Sequence, residues 1–323
     1  MYVAVLRGGP GEYELSLASG QHVINHLRAR HNVSDIYVDR EGLWHRSGLV
    51  YSPERALGQC DVVVNCLHGD YAESGHVQGL LDAHSYRYSG SGRVPSALAY
   101  NKQLAKTLFA RAGLAVPLGY MVDTQSDPYE VADRLIREVG GQFIIKPVQG
   151  SMSRGVRVAR SYQELAPLII EGLWESGKVI VEEVVRGREA KVGVVDGLRG
   201  DSYYTLLPIE ISKAGDLSIY IPHGGNNFRI PGRFSQGEKE QLQYTAREAH
   251  KAIGAEGYSM VDIVLTSRGP VVLELDTHPS LGNGHPMQVG LEALGVSQPD
   301  SHRFGPGFQR TGNRADSTND YLW

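Results

Sequence analysis

Two short β-forming runs separated by a turn carry three carboxylates, and they constrain the fold more than any other stretch. The first run, MVDIVL, holds Asp262, and the second, VVLELD, holds Glu274 and Asp276. Side chains alternate between faces along a strand, so Glu274 and Asp276 lie on the same face. Pairing of the two runs as a hairpin across residues 266–270 places Asp262 opposite them. The sequence therefore predicts three carboxylates on one face of an antiparallel hairpin.

Two interpretations of this acidic hairpin are open. Carboxylates on neighbouring strands repel one another unless a cation neutralises them, and Mg²⁺ prefers oxygen ligands of this kind. The same pattern, taken alone, also fits the solvated face of an edge hairpin. The motifs upstream bear on the choice between a metal site and a solvated surface.

The composition excludes several classes of protein. A chain of 323 residues with 41% hydrophobic and 21% charged residues is typical of a globular protein with two or three subdomains. The net charge of -4 indicates neither a nucleic-acid surface nor a membrane surface. No leader-like start and no apolar run of about 18 residues is seen, so we expect a cytoplasmic protein with no membrane partner. The two cysteines, Cys60 and Cys66, are expected to be buried reduced thiols.

The first 94 residues alternate between strand and helix patterns. YVAVLR is a buried-strand pattern, a helical pattern follows over residues 12–30, and DIYVDR is a second strand. The run DVVVNCLHGD, residues 61–70, is continuously apolar up to His68, as in a buried parallel strand. This order predicts an α/β domain with a doubly wound parallel sheet, whose functional edge lies at the strand carboxyl ends.

A lysine and a Gly/Ser loop form the next candidate motif. Lys146 ends a strand-like run and is followed by the loop QGSMSRG, residues 149–155. Backbone N–H groups together with a lysine can cradle phosphates. The loop is not a P-loop, and a strand-ending lysine beside a glycine turn is more often simply a turn. Lys102, in a helical pattern, also fits a solvated lysine.

Further along, the strand-like run VIVEEVV contains Glu182 and Glu183 and is followed by Glu189. An apolar strand with an acid at its end can pair with an adenine edge, and a second acid can hold ribose hydroxyls. The alternative is an amphipathic strand with exposed acids, and it is favoured for either residue taken alone.

In chain order, these pieces are a lysine, a lysine with a Gly-rich flap, strand acids, and the pattern D…E-x-D. This order is typical of the ATP-grasp fold, and residues 1–297 resemble the D-alanine–D-alanine ligase family. Six collinear stretches carry the resemblance: LRGGPGEYELSLASG (6–20), NCLHGDYAESGHVQGLLD (65–82), YSGSGRVPSALAYNKQLAK (88–106), IIKPVQGSMSRGV (144–156), VIVEEVVRGREAKV (179–192) and MVDIVLTSRGPVVLELDTHPS (260–280).

The resemblance implies an α/β chain with α+β subdomains and an ATP-grasp architecture. The domains would be an N-terminal α/β domain (1–94), a central subdomain with the flap (95–181) and a C-terminal subdomain with the metal site (182–297). A polar, loosely ordered segment (298–323) would follow. The implied activity is ATP-dependent, ADP-forming ligation of small amino acids, D-alanine or similar, through an acylphosphate. The implied context is peptidoglycan precursor synthesis by a homodimer.

The resemblance also assigns roles to individual residues. The implied nucleotide site comprises phosphate-binding lysines, a covering flap, adenine-binding residues and a ribose-binding acid: Lys102 and Lys146; Gly150, Ser151 and Ser153; Glu182, Glu183 and Val185; and Glu189. Mg²⁺, or Mn²⁺ in its place, would be held by Asp262, Glu274 and Asp276. In the implied catalytic set Glu12 orients the ammonium of the first amino acid, His68 lies near its carboxylate, and Ser153 belongs to the flap.

The chain departs from the family on the substrate side. Met260 stands where the family has an arginine that braces the tetrahedral oxyanion, and loss of one such donor typically costs about 10²–10³ in rate. Met152 replaces the first flap serine, and Asp276 replaces an asparagine. The run HPSLG replaces a Pro-Gly turn, and SIYIPHGGNNFRIPG lacks the lysine-tyrosine pair of the closing loop.

Three functional hypotheses follow from this pattern. The chain is a ligase of the family type, a ligase for another pair of amino acids, or an ATP-binding homologue without ligase activity. The retained nucleotide and metal residues favour a ligase. Replacement cations could come from Arg154, His223, Arg229 or Arg233.

Overall fold

The computed structural model describes residues 1–212 and 227–295 of the chain. The predicted tail over 298–323 lies outside these residues, as does the part of the predicted closing loop that contains His223. In the described ranges the chain forms three β-sheets with helices packed against them.

The N-terminal sheet has five strands in the order β4-β3-β2-β1-β5, in which β1 is parallel to both β2 and β5. Its elements are β1 (Tyr2–Gly8), α1 (Tyr13–Leu27), β2 (Asn32–Val38), β3 (Trp44–Arg46), β4 (Leu49–Tyr51), α2 (Pro53–Leu57), β5 (Val62–Asn65), α3 (Asp70–Glu73) and α4 (His76–Ala83). All four β5 residues are buried, as the continuous apolar run predicted. The parallel core of this sheet confirms the predicted doubly wound arrangement.

The hairpin of β3 and β4 was not predicted, because the stretch WHRSGLVYS has the pattern of a polar loop with a turn. Ser47 and Gly48 form its turn with positive φ angles. Leu49 and Val50 are adjacent apolar residues and both are exposed. This edge strand therefore lacks the alternation of apolar and polar residues that marks a half-buried strand in a sequence.

The helical pattern around Lys102 is interrupted, because the chain forms two helices there, α5 (Arg93–Tyr100) and α6 (Lys102–Arg111). Asn101 between them has an extended backbone, and its side-chain oxygen accepts a hydrogen bond from the Leu104 backbone N–H at 3.1 Å. This is a helix N-cap, a role in which asparagine is strongly preferred. The break places Lys102 at the first position of α6.

The central sheet is antiparallel with the strand order β6-β9-β7-β8, and two helices cover it. Its elements are β6 (Gly119–Asp123), α7 (Pro128–Glu138), β7 (Phe143–Pro147), β8 (Arg157–Ala159), α8 (Tyr162–Ser176) and β9 (Lys178–Glu183). The Gly/Ser loop joins β7 to β8, as the sequence predicted. Strand β9 crosses the predicted domain boundary after residue 181, and the division into domains stays a prediction.

The C-terminal sheet has six strands, in the order β13-β12-β10-β14-β15 with β11 paired to β10. Its elements are β10 (Arg188–Val195), a 3₁₀ helix (Leu198–Gly200), β11 (Tyr204–Thr205), β12 (Ile209–Ser212), β13 (Asn227–Arg229), α9 (Gln236–Ile253), β14 (Tyr258–Thr266), β15 (Gly269–Asp276) and α10 (Pro286–Glu292). A capping box of Ser235 and Glu238 begins α9, and Gly254 in the left-handed region ends it. The apolar face of α9 packs on this sheet and on α6.

Neither of the two cysteines forms a disulfide; Cys66 is buried as expected, whereas Cys60 is only partly buried. Burial raises the pKa of the Cys66 thiol to about 12 and that of the half-buried Cys60 to about 11. A raised pKa leaves less thiolate at a given pH, and the thiolate is the reactive form. We expect both thiols to react with a disulfide reagent at pH 8 at least tenfold more slowly in the native protein than in denaturant. Native thiols that react as fast as denatured ones would contradict this burial.

Candidate active site

A cleft of about 280 Å³ lies between the central and C-terminal sheets. The central sheet contributes Lys146 and the flap that follows it, while α6 contributes Lys102. The opposite wall is formed by β10, β14 and β15. Of the predicted site residues, these line the cleft: Lys102, Lys146, Gly150, Ser151, Ser153, Glu189, Asp262, Glu274 and Asp276.

The predicted acidic hairpin is present. Strands β14 and β15 are antiparallel, with Asp262 opposite Glu274 and Met260 opposite Asp276. The register shifts between Asp262 and Ile263, which leaves Leu273 as an extra residue in β15. The three carboxylates therefore share the face of the hairpin that forms the cleft wall.

The electrostatic environment of the three acids differs. Burial raises the pKa of Asp262 to about 6 and that of Asp276 to about 6, and the adjacent Glu274 contributes to both shifts. Burial also acts to raise the pKa of Glu274, but the ammonium groups of Lys102 and Lys146 outweigh it and hold that pKa below its usual value. The wall thus concentrates negative charge that a bound cation would stabilise.

The donor types in this wall suit a hard divalent cation, because every predicted ligand is a carboxylate oxygen. In the part of the chain that the structure describes, however, no group of three or more His, Cys, Asp or Glu side chains is arranged to hold a metal ion. The acid Asp262 is paired with Lys191 on β10, whose Nζ lies 2.5 and 2.6 Å from its two carboxylate oxygens. The metal role of the three acids stays a prediction.

Beside the cleft, Glu182 joins two lysines in a buried ion-pair network. Its carboxylate oxygens lie 2.8 Å from Lys106 Nζ and 2.8 Å from Lys146 Nζ, and only 2% of the side chain is exposed. Burial acts to raise the pKa of Glu182, but the two lysines hold it below its usual value. Burial and Lys146 lower the pKa of Lys106 to about 8. This network fixes the position of the Lys146 ammonium.

The two other predicted adenine-binding residues lie close by. The backbone N–H of Glu183 donates to the Leu118 carbonyl at 2.9 Å, and its carboxylate accepts from the Leu118 N–H at 3.0 Å. Val185 lies in the segment between β9 and β10. None of Glu182, Glu183 and Val185 is among the residues that line the cleft, and their adenine role stays a prediction.

The flap is anchored to α6 and carries strained backbone. Lys102 donates from its backbone N–H to the Val148 carbonyl at 2.9 Å and from Nζ to the Gly150 carbonyl at 2.5 Å. Met152 and Ser153 both have φ near +57°, a region that non-glycine residues seldom adopt. Such conformations cost of order 1–3 kcal/mol each and cluster at ligand-binding loops.

The flap also reaches the N-terminal sheet. Arg154 forms an ion pair with Glu12, the residue that directly precedes α1. The Glu12 side chain is 15% exposed, whereas that of Arg154 is 61% exposed. The carboxylate that was predicted to orient an amino-acid ammonium is thus already paired with a cation from the flap.

His68 lies at the carboxyl end of β5, as predicted. Its Nε2 is 3.2 Å from Ser19 Oγ, which in turn is 2.8 Å from Ser280 Oγ. Its ring packs 5.5 Å from that of His278 between centroids. Burial and this neighbour lower the pKa of His68, and burial lowers that of His278 to about 4. Both imidazoles are therefore neutral at pH 7 and can form hydrogen bonds without adding charge.

The four candidate replacement cations differ in their position relative to the cleft. Arg154 lines the cleft. Arg229 lies opposite Glu210 in the pairing of β12 with β13. The backbone N–H of Arg233 donates to the Glu210 carboxylate at 2.9 Å. Neither arginine is among the residues that line the cleft. His223 is outside the described residues.

Sequence reasoning missed three residues of this region. Lys106 lies four residues after Lys102 on α6, a spacing that places both on one helix face. Lys191 lies two residues after Glu189 on β10, so both side chains share one sheet face. Glu73 lines the cleft five residues after His68, and burial together with Asp276 raises its pKa to about 8.

Comparison with known proteins agrees with this geometry. Residues 108–300 match the family model described as "D-ala D-ala ligase C-terminus". The chain is 32% identical over 284 residues to a D-alanine–D-alanine ligase of Syntrophobacter fumaroxidans, covering 86% of this chain and 88% of that protein. It is 32% identical over 306 residues to the corresponding ligase of an Anaeromyxobacter species, covering 92% and 93%.

Solved structures share the fold. The VanG D-Ala:D-Ser ligase of Enterococcus faecalis superposes with a TM-score of 0.81 at 24% identity, covering 93% of this chain and 96% of that one. The D-alanine–D-alanine ligase of Coxiella burnetii gives a TM-score of 0.81 at 24% identity, covering 93% and 91%. That of Bacillus anthracis, solved in complex with ATP, gives 0.74 at 21% identity, covering 93% of each chain.

The two antiparallel sheets that enclose the lysine and carboxylate cleft, together with these structural matches, place the chain in the ATP-grasp class of α/β proteins. Within that class, the matched family model and the relatives at 32% identity identify one family. The chain belongs to the D-alanine–D-alanine ligase family.

Proposed function

We propose that this protein is an ATP-dependent, ADP-forming ligase that joins two molecules of D-alanine for peptidoglycan precursor synthesis. In this reaction the carboxylate of the first amino acid attacks the γ-phosphate of ATP and displaces ADP. The amine of the second then attacks the acyl carbon of the acylphosphate, loses a proton and displaces phosphate. The single observation that carries the proposal is the cleft, in which two lysines and a glycine-rich flap face three carboxylates.

The roles of the cleft residues follow from their charges. Lys102 and Lys146 neutralise the phosphates of ATP, and Glu182 holds Lys146 in place from behind. The flap residues Gly150, Ser151 and Ser153 cover the phosphates and exclude water, which would otherwise hydrolyse the acylphosphate. Glu189, on the opposite wall, binds the ribose hydroxyls.

We also propose that Asp262, Glu274 and Asp276 hold Mg²⁺. When bound, this ion neutralises charge that develops on the transferred phosphoryl group. The three carboxylates would hold the ion, and Lys102 and Lys146 supply the positive charge of the facing wall. Mn²⁺ has the same preference for oxygen ligands and could replace it.

At the amino-acid end, Glu12 accepts hydrogen bonds from the ammonium of the first D-alanine. Arg154 must then leave the Glu12 carboxylate or share it. Neutral His68 lies close to the carboxylate of the first substrate and donates a hydrogen bond to it without adding a charge to the site. The active protein is a homodimer in the cytoplasm, where ATP is available. In the described ranges no helix is long and apolar enough to cross a membrane.

The proposal is tested by phosphate release from ATP and Mg²⁺, with D-alanine first and then with a panel of D- and L-amino acids. We expect release that depends on D-alanine, accompanied by the dipeptide in the product. The variant Glu274→Gln, purified in the same way, controls for contaminating ATPases. Release with another amino acid alone would identify a ligase of altered specificity. No release, although ATP raises the melting temperature, would contradict ligation and favour an ATP-binding homologue.

A further inference from the structure

Lys191 is the one cation from the C-terminal sheet among the described residues that line the cleft. It lies on β10 directly opposite Asp262 of β14, in a pair of antiparallel strands with continuous register. Its Nζ contacts both oxygens of the Asp262 carboxylate, at 2.5 and 2.6 Å. Only 12% of the lysine side chain is exposed, so the ammonium is held in place rather than solvated.

The charge of Lys191 acts on all three acids of the wall. Its ammonium is among the influences that oppose the burial effects on the pKa values of Asp262, Glu274 and Asp276. The Lys191 ammonium occupies both oxygens of Asp262, which lies opposite Glu274 in the hairpin. A divalent cation bound by Asp262 would need these same oxygens, and two positive ions cannot share them without repulsion.

The side chains next to Lys191 do not offer a second positive group. Met260, which shares its face of the sheet with Asp262, is buried and uncharged. Lys146 on the facing wall is tied to Glu182, and Lys102 is tied to the flap. Lys191 is therefore placed to neutralise Asp262 itself.

We propose that Lys191 is a built-in cation of the metal site, so that the cleft holds one divalent cation with the bound nucleotide rather than two. The inference rests on the proposed metal role of Asp262, Glu274 and Asp276. Lys191 supplies one positive charge at Asp262, and Glu274 and Asp276 remain for the single metal ion. Because the charge belongs to the chain, it is present before nucleotide or metal binds.

Metal stoichiometry tests this directly. Free Mn²⁺ is measured by electron paramagnetic resonance while the protein, saturated with a non-hydrolysable ATP analogue, is titrated with Mn²⁺. The wild-type protein is expected to bind one Mn²⁺ per chain. Lys191→Met and Lys191→Gln are expected to bind two, the second at Mn²⁺ concentrations at least roughly tenfold lower than any at which the wild type takes up a second ion. Lys191→Arg keeps the charge and should still bind one.

The outcomes separate the inference from the proposed function. Two Mn²⁺ ions bound by the wild type, or one bound by every variant with unchanged affinity, would overturn the role of Lys191 and leave the metal site intact. No Mn²⁺ bound beyond that carried by free nucleotide, in any of the proteins, would overturn the metal site and with it the inference. Thermal melting of each variant verifies folding, and the two uncharged substitutions guard against failure of either one to fold.

Discussion

Replacing Glu182 by alanine is expected to reduce the free energy of unfolding by about 3–5 kcal/mol, because it leaves two buried lysines without their shared counter-charge. The Lys106 and Lys146 ammonium groups both depend on this carboxylate, at 2.8 Å each. Glu182 is 2% exposed, so water cannot replace it. Urea unfolding followed by circular dichroism measures the loss.

Two further variants sharpen this test. Glu182→Gln keeps the shape and removes the charge, so a similar loss identifies electrostatics rather than packing as the cause. Glu41→Ala, in the exposed turn between β2 and β3, serves as the control and should change the free energy of unfolding by less than about 0.5 kcal/mol. A loss below about 1 kcal/mol in both Glu182 variants would show that the lysines find other partners, and would refute the network as a stabilising element.

The second large effect is expected on catalysis without a matching loss of stability. Glu274→Gln should lower kcat for D-alanine ligation by about 10³-fold or more, because it removes the central acid of the proposed metal site, a contribution of several kcal/mol. Protein groups surround the Glu274 carboxylate, but it opens to the cleft and not to the hydrophobic core, so the fold does not depend on it. Steady-state kinetics and urea unfolding on the same preparation separate the two effects.

Asp276→Asn is the matched control for this substitution. It removes one carboxylate from the same face of β15 but keeps an oxygen that can bind a metal ion, and asparagine is the residue the family resemblance places there. We expect its kcat to stay within about tenfold of the wild type. Equal losses in both variants would indicate a general requirement for negative charge and not a specific role of Glu274.

Local patterns were sufficient to predict much of the C-terminal site. The period-two spacing of Glu274 and Asp276 and the short turn before them predicted the hairpin, and the structure confirms its register. These features depend on residues near one another in the chain, where backbone geometry determines which side chains share a face.

Contacts between distant strands could not be predicted in this way. Lys191 meets Asp262 across 71 residues, and the contact depends on the antiparallel pairing of β10 with β14. Glu182 meets Lys106 and Lys146 only after β9 pairs with β7 and α6 lies against β15. In both cases the sequence showed a charged residue on a strand, for which an exposed position was the more common expectation.

The ion pair between Arg154 and Glu12 joins the flap over the nucleotide cleft to the start of α1, across 142 residues. In the proposed reaction a substrate ammonium and the Arg154 guanidinium would compete for the same carboxylate, so that occupancy at one end of the site would alter the flap at the other. Coupling free energies are reciprocal, and nucleotide must therefore change the affinity for the first amino acid by the same factor as the amino acid changes that for nucleotide. In the proposed ligase, one exposed arginine therefore couples the amino-acid end of the site to the flap.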